Sequence, residues 1–426
     1  MAATPTCNNP YKEEIDFATL ALQDADFAKI LKPNGQLDFS NPESVLQLTK
    51  SLLKRDFNLK IEVALDRLCP PVPNRLNYIL WIQALLDTTS DTYQDSYDSS
   101  REVVGLDIGT GASCIYPLLG CAQRPNWRFA ATDIDDKSIS FAKENILRNG
   151  LQGRIMPLQT KPDGPLIPMD LLGFENIDFG MCNPPFYDSN FDLLASASAK
   201  QRPPFTACTG SESEMVTAGG EVAFISRMIE ESLLIQKRVQ WYTSMLGKHS
   251  SLEAVVTKLR DKRVSNYAVT EFVQGNKTKR WGIAWSFGDL RPRVEVARGL
   301  NSLAKTFLPF PTEYGITLKK LDVTKAGERV NETLSNLPLK WMWKPAIATG
   351  VGFTQKAVWS RAFRRIAAQS RDSMEEDQDN FALGFKVSLL VEEDDSTVKV
   401  KIRWLRGFDS VLFESFCGMV KRKVEE

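Results

Sequence analysis

Histidine is almost missing from this 426-residue chain; His249 is the single one. Its scarcity removes most imidazole-based acid–base and nucleophilic schemes. His249 follows Gly247 and Lys248 after a strand-like run and reads as a solvated loop residue. The cysteines (Cys7, Cys69, Cys114, Cys121, Cys182, Cys208, Cys417) are odd in number and never spaced as CxxC. That pattern speaks against a disulfide framework and a zinc site, so no metal is expected. No apolar run approaches the ~20 residues of a membrane span, and Met1–Tyr11 has no signal-peptide core. Net charge is also missing, since 53 Lys and Arg balance 53 Asp and Glu.

The neutral total hides a polarity. Residues 1–100 hold 9 Lys and Arg against 14 Asp and Glu, whereas 236–300 hold 13 against 5. A local basic excess on a neutral chain is a candidate polyanion surface. Charge runs are more often solvated faces, so the excess needs support from chemistry elsewhere.

The length implies two domains, or one large and one small. Residues 1–100 read as a helical extension and linker. Asn41-Pro42-Glu43 opens a helix over Ser44–Asp56 with a cap, a first-turn proline and an early carboxylate. Pro70-Pro71-Val72-Pro73 breaks the chain, and a helix resumes over Leu76–Leu86. Thr88–Ser100, rich in Ser, Thr, Asp and Tyr, reads as a flexible linker.

From Val103 the pattern alternates strand and helix. Strands are expected at Val103–Ile108, Arg128–Thr132, Arg154–Leu158, Ile177–Cys182 and Trp241–Leu246, with helices at Lys137–Asn149, Glu221–Ile235 and Ser251–Lys262. Tyr267–Val273 and Arg280–Phe287, joined by a short basic turn, form an antiparallel hairpin. The expectation for 101–289 is an α/β doubly wound sheet of seven strands, one of them antiparallel. Residues 290–426 read as a small α+β module. In it Ala357–Gln369 carries three arginines, Ser373–Asp379 is acidic and flexible, Phe381–Arg406 is a hairpin and Asp409–Lys423 a last helix.

Three strand ends carry chemistry. The first runs into Asp107-Ile108-Gly109-Thr110-Gly111-Ala112-Ser113, a Gly-rich turn that lets a ligand approach the backbone. It is neither a dinucleotide fingerprint, because Cys114 holds the third glycine position, nor a phosphate loop. Asp107 suits a cationic amine. The second strand ends at Asp133, placed for the hydroxyls of a ribose. The fourth ends at Asn183-Pro184-Pro185-Phe186. The Asn183 side-chain carbonyl and a proline main-chain carbonyl accept hydrogen bonds, and proline donates none. Such a turn holds a planar amino group, with Phe186 as a stacking face. Together the three ends fit S-adenosylmethionine as cofactor, with S-adenosylhomocysteine as product, and methylation of a planar amine. A Pro-Pro turn that merely ends a strand would not explain all three.

The runs GLDIGTGASCIYPLLG (Gly105–Gly120), MCNPPF (Met181–Phe186), WYTSMLGK (Trp241–Lys248), RWGIAWSF (Arg280–Phe287) and PVPNRLNYILWI (Pro71–Ile82) resemble the methyltransferase-like protein 16 family. Its bacterial relatives are 23S ribosomal RNA adenine-N6 methyltransferases. The likeness covers about residues 10–290 and suggests a fungal-type member. It implies a class I, Rossmann-like methyltransferase core acting on adenine N6 in structured RNA, U6 spliceosomal RNA and some messenger RNA hairpins.

In the site, the resemblance implies cofactor contacts from Arg75, Gly109, Gly111, Ser113, Asp133, Thr160 and Asn183 beside Asp107. It implies catalytic positions at Asn183, Pro184, Pro185 and Phe186. RNA contacts are implied at Lys200, Arg202, Lys277, Lys279 and Arg280. Asp133 stands where animal members have Glu, and the basic N-terminal arm of those members is replaced by MAATPTCNNPYKEE. Trp404–Cys417 looks like part of the vertebrate RNA-binding C-terminal region. A monomer, nuclear with cytoplasm left open, is expected. Two other readings stay open from residues alone: a protein glutamine methyltransferase, and an RNA-binding protein with a vestigial site.

Overall fold

A computed structural model describes residues 9–188, 210–274, 278–300, 302–319, 321–363, 365, 381–391 and 397–426. Lys200, Arg202, Lys277, Arg364, Ser373–Asp379 and Glu392–Ser396 lie outside these. The chain divides into two compact units, one of 1–86, 96–287 and 300–307, the other of 87–95, 288–299 and 308–426.

The first unit opens with α1 (Phe17–Gln23), α2 (Pro42–Phe57) and α3 (Val72–Thr88). Asn41 caps α2 through the Glu43 N–H, with proline in the first turn, as its sequence requires. The third helix starts earlier than Leu76. Pro73 sits in its first turn, where a missing N–H costs nothing, so the proline pair precedes the helix and does not break it. Almost every face of α3 is buried, Arg75 and Tyr78 included, so it is a core helix of this unit.

The sheet follows as β1 (Val103–Ile108), α4 (Ile115–Gln123), β2 (Trp127–Asp133), α5 (Asp136–Arg148), β3 (Ile155–Gln159), β4 (Ile177–Cys182), α6 (Gly220–Ile235), β5 (Val239–Leu246), α7 (His249–Asp261), β6 (Asn266–Gln274) and β7 (Thr278–Ser286). These strands run in the order β3-β2-β1-β4-β5-β7-β6. Pairing is parallel from β3 to β5, and β7 is antiparallel to both β5 and β6. The expected seven strands with one reversed are present, and the sheet counts an eighth that was not expected, the two-residue Arg298–Gly299. β1 and β4 are adjacent and buried along nearly their whole length, which brings the Gly-rich turn and the Asn183 tetrad to one edge.

The second unit is an antiparallel sheet of β8 (Glu313–Lys319), β9 (Lys340–Lys344), β10 (Thr349–Thr354), β11 (Leu383–Val391) and β12 (Thr397–Arg406), in the order β9-β10-β11-β12-β8. Helices α8 (Val323–Ser335) and α9 (Ser410–Glu425) pack Val330, Leu334, Phe416 and Val420 against Phe385, Val387 and Ile402 of the sheet.

Residues 87–95, read from composition as linker, are an ordered part of this unit. Asp95 pairs with Arg403 and with Lys386 Nζ at 3.0 Å, and the Tyr93 ring packs at a tilt against Phe353. The Arg403 Nη2 donates to the Thr88 carbonyl at 2.7 Å.

Candidate active site

Left-handed backbone at Gly109 (φ 72°) and Gly111 (φ 64°) makes the turn after β1, a conformation that strains any residue with a Cβ. The Gly109 and Thr110 N–H groups both donate to the Thr132 carbonyl, which ties the turn to the end of β2. Asp133 then accepts from the Gly111 N–H at 2.8 Å and from the Asp135 N–H at 2.9 Å. The Thr160 N–H donates to the Asp133 carbonyl at 2.9 Å, so Thr160 sits at the same edge. Ser113 is buried within the turn.

Asp107 is fully buried, and among the described residues neither carboxylate oxygen has a hydrogen-bond partner of good geometry. Burial pushes its carboxyl up to about 7; the Thr110 hydroxyl and the Arg75 charge offset part of this, and Asp133 adds to it. A bare carboxylate here is costly, so the residue is poised for a cation. The residues fit S-adenosylmethionine, whose ammonium group would supply such a cation, and Asp133 stands at the strand end where a ribose-binding acid is expected.

A pH dependence follows. An ammonium ligand needs ionised Asp107, so binding releases a proton below pH 7. Affinity for S-adenosylhomocysteine should rise about tenfold per pH unit up to pH 7 and then level off. Titration calorimetry from pH 5.5 to 8 checks this, and Asp107→Asn should flatten the slope. By the same sign, Asp107 itself disfavours the ligand-free fold as pH rises from the ordinary carboxylate range through 7.

Arg75 lies behind the turn. Its Nη1 donates to the Tyr116 hydroxyl at 2.8 Å, and its guanidinium carbon lies 5.4 Å from the centre of that ring. Tyr78, one turn along α3, places its hydroxyl 2.7 Å from the Thr243 Oγ1 and 3.4 Å from the Cys182 carbonyl. Thr243 in turn donates to the Gly180 carbonyl at 3.0 Å. These hydroxyls fasten the end of β4, directly before the tetrad.

Within the tetrad Pro184 is buried and Asn183, Pro185 and Phe186 are half-buried. The Asn183 Oδ1 is shielded from solvent and accepts no hydrogen bond among the described residues. The Arg280 guanidinium carbon stands 5.4 Å from the centre of the Phe186 ring. Burial, and then the Arg75 charge, lower the pKa of Arg280. Glu221, buried at the start of α6, accepts from the Gly247 N–H at 2.6 Å and the Lys248 N–H at 3.1 Å. A Cβ on Gly247 would lie 3.0 Å from Phe186, so glycine leaves room for the ring. Lys279 is exposed and pairs with Glu271 at 3.4 Å, which moderates its charge.

His249 is not a solvated loop residue. It is the first residue of α7, packs edge-on against Trp281, and its Nε2 is buried. The strand ahead of it runs to Leu246, so the helix begins almost at once.

Tyr78, Tyr116, Thr243, Glu221 and Glu214 were not among the residues singled out in the sequence. Tyr78 alone had a readable signal, since it follows Arg75 by three positions on a helix. The partners of Tyr116, Thr243 and Glu221 lie tens of residues away, as does Leu68, one partner of Glu214.

Fold and site together define a class I S-adenosylmethionine-dependent methyltransferase. A family model described as RNA methyltransferase matches residues 3–289. The U6 small nuclear RNA (adenine-(43)-N(6))-methyltransferase of Schizosaccharomyces pombe is 39% identical over 395 residues, which is 92% of this chain and 96% of that protein. The RNA N(6)-adenosine-methyltransferase METTL16 of Homo sapiens is 43% identical over 360 residues, 82% of this chain and 62% of that longer protein. A crystal structure of the hMettl16 catalytic domain in complex with MAT2A 3′UTR hairpin 1 superposes with a TM-score of 0.58 at 40% identity, covering 66% of this chain and 94% of that one. The N-terminal domain of human METTL16 in complex with SAH gives 0.54 at 39%, covering 66% and 98%. The chain belongs to the methyltransferase-like protein 16 family of RNA methyltransferases.

Proposed function

We propose that this chain methylates N6 of an adenine in structured RNA, with U6 small nuclear RNA as substrate, as the fission yeast relative is named to do. A nuclear site of action follows from that substrate. S-adenosylmethionine, when bound, supplies an electrophilic methyl group. The observation that carries the reading is the buried Asn183 Oδ1, which has no partner among the described residues and stands three positions before Phe186.

The adenine must leave its stack, at a cost of a few kcal/mol that is least in a loop or bulge. Stacking on Phe186 returns ~1–3 kcal/mol. Asn183 Oδ1 and the Pro184 carbonyl accept from the two amine hydrogens, which turns the N6 lone pair out of conjugation with the ring. The rate then comes mainly from orientation. The proton leaves N6 after attack, when the nitrogen is cationic, so no strong base is needed. Arg280 braces the ring and adds positive charge beside the RNA backbone.

A second RNA-contacting surface is the face of the second unit's sheet opposite α8 and α9. There Lys340 and Lys344 are exposed on β9, and Lys399 is exposed on β12, with β10 and β11 between them in the sheet.

Phosphate contacts are read by salt. Arg280→Ala combined with Lys277→Ala should weaken binding of a U6 hairpin and lower the slope of log K against log salt by about two. Lys344→Ala with Lys399→Ala should lower it by up to about two as well. An unchanged slope in either pair makes that surface a solvated one. Digesting methyl-labelled RNA to nucleosides should yield N6-methyladenosine; label in protein glutamine instead would sink the reading.

A further inference from the structure

Residues 211–217 join the two halves of the site. At one end Met215 accepts from the Tyr187 N–H at 3.1 Å and the Thr217 N–H donates to the Tyr187 carbonyl at 2.9 Å, directly after the tetrad. At the other end Glu214 reaches the Gly-rich turn. Its Oε2 accepts from the Leu68 N–H at 3.1 Å, the Ser211 N–H at 2.8 Å and the Ser211 hydroxyl at 2.9 Å. Its Oε1 has no hydrogen bond among the described residues and lies 3.5 Å from where a Cβ on Gly111 would stand. Gly111 is the residue whose N–H binds Asp133. Two carboxylates therefore flank one glycine; burial raises the pKa of Asp133, and the nearby charge on Glu214 adds to it.

We propose that Glu214 is a second ribose-binding carboxylate, and that a ribose held between it and Asp133 fixes residues 211–217 beside the tetrad. A vicinal diol has two O–H donors, and each carboxylate keeps an acceptor position free for one of them. Hydrogen bonds to charged acceptors are the stronger kind. Ligand binding then relieves the repulsion between the two acids and orders the segment that borders the adenine pocket. Glu214 is in this sense a positioning residue, linking cofactor occupancy to the shape of the base site. The proposal rests on the cofactor reading above.

The test uses the full chain and titration calorimetry with S-adenosylhomocysteine and its 2′,3′-dideoxy counterpart. Glu214→Ala should weaken the first by tenfold or more and the second by less than twofold. Amide hydrogen exchange at 211–217 should slow on adding S-adenosylhomocysteine to the native chain and not to the variant. Equal weakening of both ligands, or of neither, overturns the proposal and leaves Glu214 a structural contact of Leu68 and Ser211. Should Glu214→Ala fail to fold, Glu214→Gln answers the same question. Its single carbonyl can serve either Leu68 or the ribose, so an intermediate loss confined to the diol ligand is expected. If the native chain binds neither ligand, the cofactor assignment itself fails.

Discussion

Asn183→Ala is expected to lower the single-turnover rate of methyl transfer by at least ~10²–10³-fold, the scale seen when one preorganised polar contact to a reacting group is removed. Affinity for a U6 hairpin should stay within a few-fold, because the basic hairpin is untouched. Asn183→Asp keeps an acceptor at the same place and should retain more activity than the alanine variant. Phe186→Ala should also slow transfer, through a loosened base. Rapid-quench measurement on a labelled hairpin separates these effects from binding. Turnover retained by Asn183→Ala would remove the tetrad from the mechanism.

Asp95→Ala should unfold the second unit or cost it ~3–5 kcal/mol, the penalty for stripping the partner from a buried charge. The Arg403 side chain is only 4% exposed, and Asp95 is its ion-pair partner. Burial already pushes the Arg403 guanidinium down to about 10, so at neutral pH it stays charged and would lose its partner. Lys386 loses the same carboxylate. Chemical denaturation followed by near-ultraviolet dichroism would report the loss, since Trp404 and Phe385 lie in that core. Asp95→Asn keeps the shape and part of the hydrogen bonding, and a smaller loss is expected. A midpoint unchanged by Asp95→Ala would mean that 87–95 is attached loosely after all.

Much of the first unit was legible in the chain. Val103–Ile108 and Ile177–Cys182 are strands with the bounds the apolar runs suggest, because a parallel strand covered on both faces leaves an unbroken apolar signature. The Gly-rich turn, Asp107, Asp133, Thr160 and Asn183 are found at one sheet edge. The second unit was less readable. β10 carries Gly350 and Gly352, which weaken any strand signal; a Cβ there would collide with Trp341 or Phe385 at 2.3 and 2.4 Å. Residues 87–95 look like linker because their role is to satisfy Lys386 and Arg403, nearly 300 positions away, with a carboxylate and main-chain carbonyls. Polar composition cannot distinguish a solvated loop from one whose partners come much later in the sequence.

That separation has a consequence for the order of events at the ribosome. The second unit needs 87–95, then 288–299, then strands that end at Arg406 and a helix that ends at Glu425. Contacts spanning so much chain close slowly. While the intervening catalytic sheet folds, the segment 87–95 has nothing to bind, and it should be open to protease on nascent chains arrested before Arg403. Protection should appear only when translation has passed the last helix. Residues from 308 onward thus decide when the much earlier stretch 87–95 becomes structured.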